Sequence, residues 1–574
     1  MAGMTVIDHM PAEYVDDAGP APGPQPAKTR GWRSRAEVVA LVAVATATRL
    51  PGFGHTPLHD ELYHVLAARS LLTNGTLELT AGAEPYTRGV PFTALVAAMF
   101  RLFGESFVSA RIPSLVASVA LIVALFVWVR RVSTRGSAWT AALLLCFYPF
   151  GILLAQFARF YALHALAFWA AAFAAYRLVE PGVPRATRAW LGAAVVAALA
   201  LAASMQQTTA VGGLGLAVFL VGVVGPDALT ALRRHRRRGA IVAAGLAATA
   251  LGLLAAYGLG VVYEVAFLFT FVDVYNEQYR NAERFYATIL YENYGVLWPL
   301  FPAAALVAAR RYGRATWLCV SVFGVALLVH SLAAFKAERF FYYAMPAFCA
   351  VWGLALPQLV GWVRDAASHV AATVARGRSR LSAALAAVAT GVVVLGAAAA
   401  NQAFAESYRM LTDEDHHVGA VNGPYRANSD WERAAPRLRA LADSSAFVIA
   451  TADGKALYFL GRVDAIMRKF TRPASREYGV DLGWSDVAAR PLIHSPSALR
   501  RAMACSPSGL VVTELRNLGE PAIVTDSVAA VLRHEADSVP MPPEWRLRVF
   551  RWRHAPRPVP AGCPARLLPR SDAR

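Results

Sequence analysis

Long apolar runs recur along this chain, each cut from the next by a short polar stretch, and this pattern limits what it can fold into. A run of about twenty apolar residues matches the hydrocarbon core of a bilayer when helical. Eleven runs qualify, near 36–54, 108–129, 137–155, 160–179, 188–204, 208–224, 240–262, 293–309, 315–334, 340–363 and 381–403. The fold class that follows is mainly α, a polytopic transmembrane helix bundle of about 11 spans. With 56% hydrophobic and only 16% charged residues, a soluble core is excluded. The run 90–103, "VPFTALVAAMFRLF", is shorter and reads as a helix lying at the membrane surface.

Orientation follows from the basic residues. With the N-terminus inside, the inner loops carry Lys28, Arg30, Arg33 and Arg35; Arg130, Arg131 and Arg135; and Arg185 with Arg188. The remaining inner loops hold "RRHRRR" from Arg233 to Arg238, then Arg310, Arg311 and Arg314, then Arg364, Arg376, Arg378 and Arg380. Every inner loop is basic, as the positive-inside rule requires. The net charge of +18 is thereby accounted for, and without an aromatic-interleaved basic patch nucleic acid is rejected as a partner. The expected location is the cell (plasma) membrane, multi-pass, with a cytoplasmic N-terminus. Residues 1–35 read as a disordered cytoplasmic tail with no cleavable signal peptide.

The same parity puts 55–107, the turn 156–159, 263–292, the turn 335–339 and everything after about 404 on the outside. Residues 36–403 form the membrane domain. Residues 404–574 change character, and we expect a C-terminal extracytoplasmic α/β domain there. Strands are expected at 446–452, 456–461, 509–515 and 545–552, with a helix over "DWERAAPRLRALAD". Cys146, Cys319 and Cys349 lie in apolar runs, whereas Cys505 and Cys563 can pair if their domain is outside the cytosol. Asp413 to Asp415 ("DED") read as a solvated run, and Asp273, Glu277 and Glu283 carry no motif.

The most polar stretch near the first span is "HTPLHDELYH", His55 to His64. A zinc protease helix needs two histidines four residues apart; His59 and His64 are five apart, which rules that reading out. Asp60 and His64 are four apart, so a carboxylate–imidazole site for a divalent metal ion stays open, although no cofactor is certain. What remains is the pair Asp60–Glu61 at the start of an amphipathic helix with Leu62, Val65, Leu66, Arg69 and Leu72 at helical spacing, expected to lie on the membrane surface. The plain alternative is that Asp60 is a helix N-cap.

Four segments in order resemble the GT-C membrane glycosyltransferases, within them the protein O-mannosyltransferase and aminoarabinose-transferase group. They are "DELYHVLAARSL", "EPYTRGVPFTALVAAMFRLFGESFVSARIPSLVASVALIVALFVWVRR", "AQFARFYALHALAFWA" and "FKAERFFYYAMPAFCAVWGLAL", spanning about the first 360 residues. The resemblance implies transfer of a sugar from a polyprenyl-phosphate donor to an acceptor at the outer membrane face. Asp60 is then the general base or acceptor-orienting carboxylate, with Glu61 as helper or metal contact. His164 stands near a position where such relatives often carry an acidic residue.

A phosphate leaving group needs cations at the outer interface, where Arg88, Arg159, Lys336 and Arg339 lie. Their alternative use is to anchor span ends. Tyr63, Tyr86, Tyr161 and Tyr342, with Tyr343 beside it, are candidates to line a sugar or acceptor site, or form an interfacial belt. Partners on this reading are the lipid-linked donor, the bilayer, and an acceptor that is a lipid, polysaccharide or protein. A transporter or flippase of lipid-linked saccharides is the competing class, but it calls for mid-span ionisable residues and broken helices in two related halves. A scaffold presenting the C-terminal domain leaves the polar first loop unexplained.

Overall fold

The computed structural model describes residues 30–54, 56–234, 282–374, 402–412, 429–469 and most of 475–554, with Cys563 and a few positions between 384 and 396. The expected span 240–262, most of 381–403, the "DED" run, Asp273 and Glu277 lie outside the described residues.

The membrane part begins with α1 (Arg30–Ala47), α2 (His59–Asn74), α3 (Val90–Phe103) and α4 (Phe107–Val132). It continues through α5 (Arg135–Cys146), α6 (Pro149–Ala155), α7 (Tyr161–Leu178), α8 (Arg185–Ala203) and α9 (Thr209–Arg234). Local sequence sets many boundaries. Ser106 and Thr134 cap α4 and α5, accepting from the amides of Ser109 and Ser137. Pro149 cannot continue α5, so α5 and α6 meet at a 67° bend. Gly75, at φ 70°, ends α2 in the left-handed region.

Next come α10 (Phe285–Tyr294), α11 (Phe301–Leu332), the short α12 (Glu338–Phe341), α13 (Met345–Val374) and α14 (Gln402–Thr412). The spans expected at 293–309 and 315–334 are not separated by a loop. Both belong to α11, whose backbone leaves helical values at Tyr312 (φ −126°, ψ 39°), beside Gly313. Alanine and arginine are strong helix formers, so the helix resumes at once. Among the described residues, four helices are long and apolar enough to cross a membrane, or five if the bent α5–α6 pair is one span. The expected count of eleven is thus not reached among them.

Two ion pairs test the parity argument. Arg135 binds Glu37 of α1 at 2.8 Å, and Arg131 binds Glu180 after α7 at 3.2 Å. The arginine-rich turns therefore meet at one end of the bundle. Arg111 and Tyr161 stand at the opposite ends of α4 and α7.

The C-terminal domain is an eight-stranded mixed sheet of order β3-β4-β5-β2-β1-β6-β8-β7. Its centre, β2 (Ala465–Met467), β1 (Phe447–Ala450) and β6 (Ser508–Glu514), is parallel, as is the pairing of β2 with β5 (Arg490–Ile493). The outer strands β3 (Ser475–Glu477), β4 (Leu482–Ser485), β7 (Asp537–Val539) and β8 (Leu547–Arg553) pair antiparallel. Helices α15 (Trp431–Asp443), α16 (Asp453–Leu460), α17 (Pro496–Cys505) and α18 (Asp526–Glu535) complete it. The expected strand 456–461 is instead α16: a short, largely buried apolar run has no periodicity to separate helix from strand. Gly509 has no room for a side chain, since a Cβ there would meet the Trp552 ring at 2.0 Å. Cys505 and Cys563 form a disulfide.

The two parts share a core through α2. Val65 and Ala68 join the bundle's apolar cluster, while Leu66 and Ala67 join that of the C-terminal domain with Trp431, Leu438 and Phe459. The amphipathic helix expected on the membrane surface is therefore held between two protein faces.

Candidate active site

Helix α2 brings adjacent carboxylates to different environments, because neighbouring residues on a helix point about 100° apart. Glu61 is fully buried and pairs with Arg111 of α4, also fully buried, through Nε–Oε1 (2.9 Å) and Nη2–Oε2 (2.8 Å). Glu61 also accepts from the amides of Leu58 (2.9 Å) and Ala158 (2.8 Å). Arg111 donates to the carbonyl of Phe53 at 2.7 Å. One buried pair thus ties α2, α4, the end of the first span and the 156–159 turn together.

Asp60 stays 43% exposed. Its Oδ2 lies 3.9 Å from Arg159 and 3.9 Å from Arg339, so two arginines from distant parts of the chain bracket one carboxylate. Arg159 is 4% exposed, and its Nη1 donates to the main-chain oxygen of Asp60 and to the Tyr86 hydroxyl, both at 3.0 Å. Its Nη2 reaches the Tyr161 hydroxyl at 3.5 Å. Arg88 is exposed, donates to Gln206 at 3.0 Å and lies over the Phe160 ring. Arg88, Arg159 and Arg339 all act electrostatically on Tyr161, which marks a shared cationic patch beside Asp60. Gly89 turns the chain here at φ 71°, where a Cβ would strike Phe160 at 2.6 Å.

Lys336 and Tyr342, two further expected members, each have a partner outside that cluster. Lys336 directs its ammonium at the carbonyl of Ala333, at the end of α11. Tyr342 is buried against Tyr148, with ring centroids 6.2 Å apart, and Tyr148 donates to Glu338 at 2.7 Å. Tyr343 is buried in the bundle, its carbonyl accepting from Trp169. His164 is also interior, 2.9 Å from the Thr209 hydroxyl.

Tyr63 lies tilted against Tyr86, with ring centroids 5.6 Å apart, and donates to Asp453 of the C-terminal domain at 3.4 Å. Burial first, then the Asp453 charge, push its phenol well above the ordinary range, so it remains a donor. His64 is buried among Tyr86, Phe92 and Phe160, with Nδ1 2.8 Å from the Thr93 hydroxyl. Among the described residues, no three His, Cys, Asp or Glu side chains are grouped as a metal centre would need.

Burial, and then the charges of Arg159 and Arg88, hold the His64 imidazole well below its ordinary pKa of 6.5. The folded protein keeps this ring neutral while the unfolded chain protonates it, so stability is lost as pH falls below 6.5. His64→Gln, which can still bond Thr93, is expected to lessen that acid-side loss. Thermal midpoints followed from neutral to acid pH check it.

Residues missed in the sequence were Arg111, Gln206 and Asp453. Arg111 had a signal, a lone arginine at the outer start of a span, but Asp453 had none.

The comparisons add to this geometry. Residues 90–252, covering α3 through α9, match the family "Dolichyl-phosphate-mannose-protein mannosyltransferase". No curated protein matches the chain. Among solved structures, ArnT from Cupriavidus metallidurans bound to undecaprenyl phosphate aligns with TM-score 0.56 at 16% identity, over 91% of this chain and 98% of that one. Its apo form gives 0.55 at 15%, over 92% and 98%. The oligosaccharyltransferase AglB from Archaeoglobus fulgidus, in complex with an inhibitory peptide and a dolichol-phosphate, gives 0.53 at 13%, over 85% and 70%. The chain shares the fold of ArnT and AglB, and its residues 90–252 are similar in sequence to the dolichyl-phosphate-mannose-protein mannosyltransferase family.

Proposed function

We propose that this protein transfers a sugar from a polyprenyl-phosphate donor to an acceptor hydroxyl or amine at the outer face of the membrane. The observation that carries the reading is the half-exposed Asp60 carboxylate bracketed by Arg159 and Arg339. A carboxylate beside a surplus of cations suits a reaction in which one partner gives up a proton and the other leaves as a phosphate. The acceptor heteroatom attacks the anomeric carbon, and the bond from that carbon to the phosphate oxygen breaks. The proton passes to Asp60, and the polyprenyl phosphate leaves as an anion.

Arg159, Arg339 and Arg88 receive the developing phosphate charge, with guanidinium forks matched to its oxygens. Tyr86 and Tyr161, bonded to Arg159, flank the sugar. Glu61 serves by position: held by Arg111 and two amides, it fixes the turn of α2 that presents Asp60. The disulfide between Cys505 and Cys563 agrees with an extracytoplasmic C-terminal domain, because such bonds persist in oxidising compartments. The similar ArnT structure that binds undecaprenyl phosphate supports a lipid-phosphate donor.

The test uses membranes with matched amounts of wild-type and Asp60→Asn protein. Each is incubated with a panel of radiolabelled polyprenyl-phosphate sugars and a cell-envelope extract, and the label is followed. Transfer by wild type alone supports the reading and names the sugar. Equal transfer by both removes Asp60 from the chemistry. Protein-dependent movement of lipid across sealed vesicles, with no transfer, replaces the transferase by a transporter.

A further inference from the structure

In an open α/β sheet, ligands bind at the carboxyl ends of the parallel strands where the strand order reverses. In the C-terminal domain that point lies between β1 and β6. The chain leaves β1 for β2 on one side, and returns from β5 through α17 to β6 on the other. The residues there are Thr451, Asp453 and Lys455 after β1, and Thr513, Glu514 and Asn517 at the end of β6, all of them buried.

These side chains mostly satisfy one another. Asn517 donates to Thr451 at 2.8 Å, and Thr451 donates to Thr513 at 3.3 Å. Lys455 and Trp431 both donate to Oε1 of Glu514, at 2.6 and 3.1 Å. Asp453 differs, because it faces another part of the chain. Only 2% exposed, it accepts from its neighbour's amide at Gly454 and from the Tyr63 hydroxyl of α2.

We propose that α2 takes the ligand's place at these strand ends, and that Asp453 is a positioning residue which holds Asp60 through Tyr63. The inference rests on the transferase reading of Asp60. Residues three apart on a helix are surface neighbours, so a fixed Tyr63 fixes the rotation of α2 that aims Asp60. Glu61 pins the helix into the bundle through Arg111, and Tyr63 pins it into the C-terminal domain. Leu66 and Ala67 continue the second anchorage, and Arg69 lies 4.7 Å from the Tyr458 ring of α16. Asp60, between the two anchors, is left facing Arg159 and Arg339.

The experiment takes the full-length protein in lipid nanodiscs, as Tyr63→Phe, Asp453→Ala, Asp453→Asn and the Tyr63→Phe/Asp453→Ala double variant. Two readouts are used, hydrogen exchange over α2 and sugar-transfer kinetics. Tyr63→Phe and Asp453→Ala should each speed exchange at α2 amides about fivefold, the factor for one lost hydrogen bond. Each should lower kcat about tenfold, with KM for the donor unchanged, as a small misplacement of a reacting group does. The double variant should be no worse than either single one, and Asp453→Asn, whose amide oxygen still accepts, should keep most of the activity.

Losses that multiply in the double variant, or α2 exchange that stays at the wild-type rate, overturn the proposal. So does a raised acceptor KM in Tyr63→Phe alone, which would make Tyr63 a substrate contact. If Asp453→Ala fails to fold, Tyr63→Phe, which removes only one hydroxyl, decides the matter. If the wild type transfers nothing from any donor, the transferase reading fails, while the exchange data still show whether the C-terminal domain holds α2.

Discussion

Asp60→Asn is expected to lower kcat for sugar transfer by about 10²–10⁴-fold, the usual contribution of a positioned general base. The substitution keeps shape and removes charge. Arg159 still donates to the main-chain oxygen of residue 60 and to Tyr86, so the local fold should survive. The carboxylate also offsets the charge of Arg159 and Arg339, each 3.9 Å away. Without it the patch is more positive, and donor KM should stay level or fall. This sign is diagnostic. A raised donor KM with little change in kcat would mean that Asp60 holds the donor instead of activating the acceptor. Steady-state kinetics on protein matched for folded amount separate the two.

The second large effect concerns stability. Arg111→Ala should destabilise the protein by about 3–5 kcal/mol, the cost of leaving one member of a buried ion pair without its partner. Glu61 and Arg111 both have no exposed side-chain surface. Glu61→Gln should cost less, since the amide oxygen can still accept from Leu58, Ala158 or Arg111. Arg111→Lys should fall between, keeping the charge but losing the two-pronged contact. Thermal midpoints and yields of folded, detergent-extracted protein give the ranking. Because the amide of Ala158 also binds Glu61, Arg111→Ala should displace the turn that carries Arg159 and reduce transfer in whatever protein folds.

These predictions depend on roles that the adjacent letters Asp60 and Glu61 could not assign. Both sit in the first turn of one helix, and as sequence they were a single acidic pair. Their division is made by Arg111, fifty residues later, which draws Glu61 inward and leaves Asp60 at the surface. Arg159 and Arg339 were legible as site candidates because parity put the outer turns at one end of the bundle. Lys336 met the same criterion and donates to a helix-end carbonyl. Parity locates a charge at a membrane face; it does not say which neighbour that charge meets.

Apolar periodicity was enough to read a mainly helical chain suited to a membrane, and the change of character after about 404 to read an α/β part there. Those are consequences of solvent and of local geometry, which every residue experiences where it stands in the chain. The tertiary structure alone decided that α2 lies between two protein faces, that 456–461 is a helix, and that Tyr63 meets Asp453. Each depends on surfaces brought together from hundreds of residues apart, and such contacts leave no periodic trace in either segment.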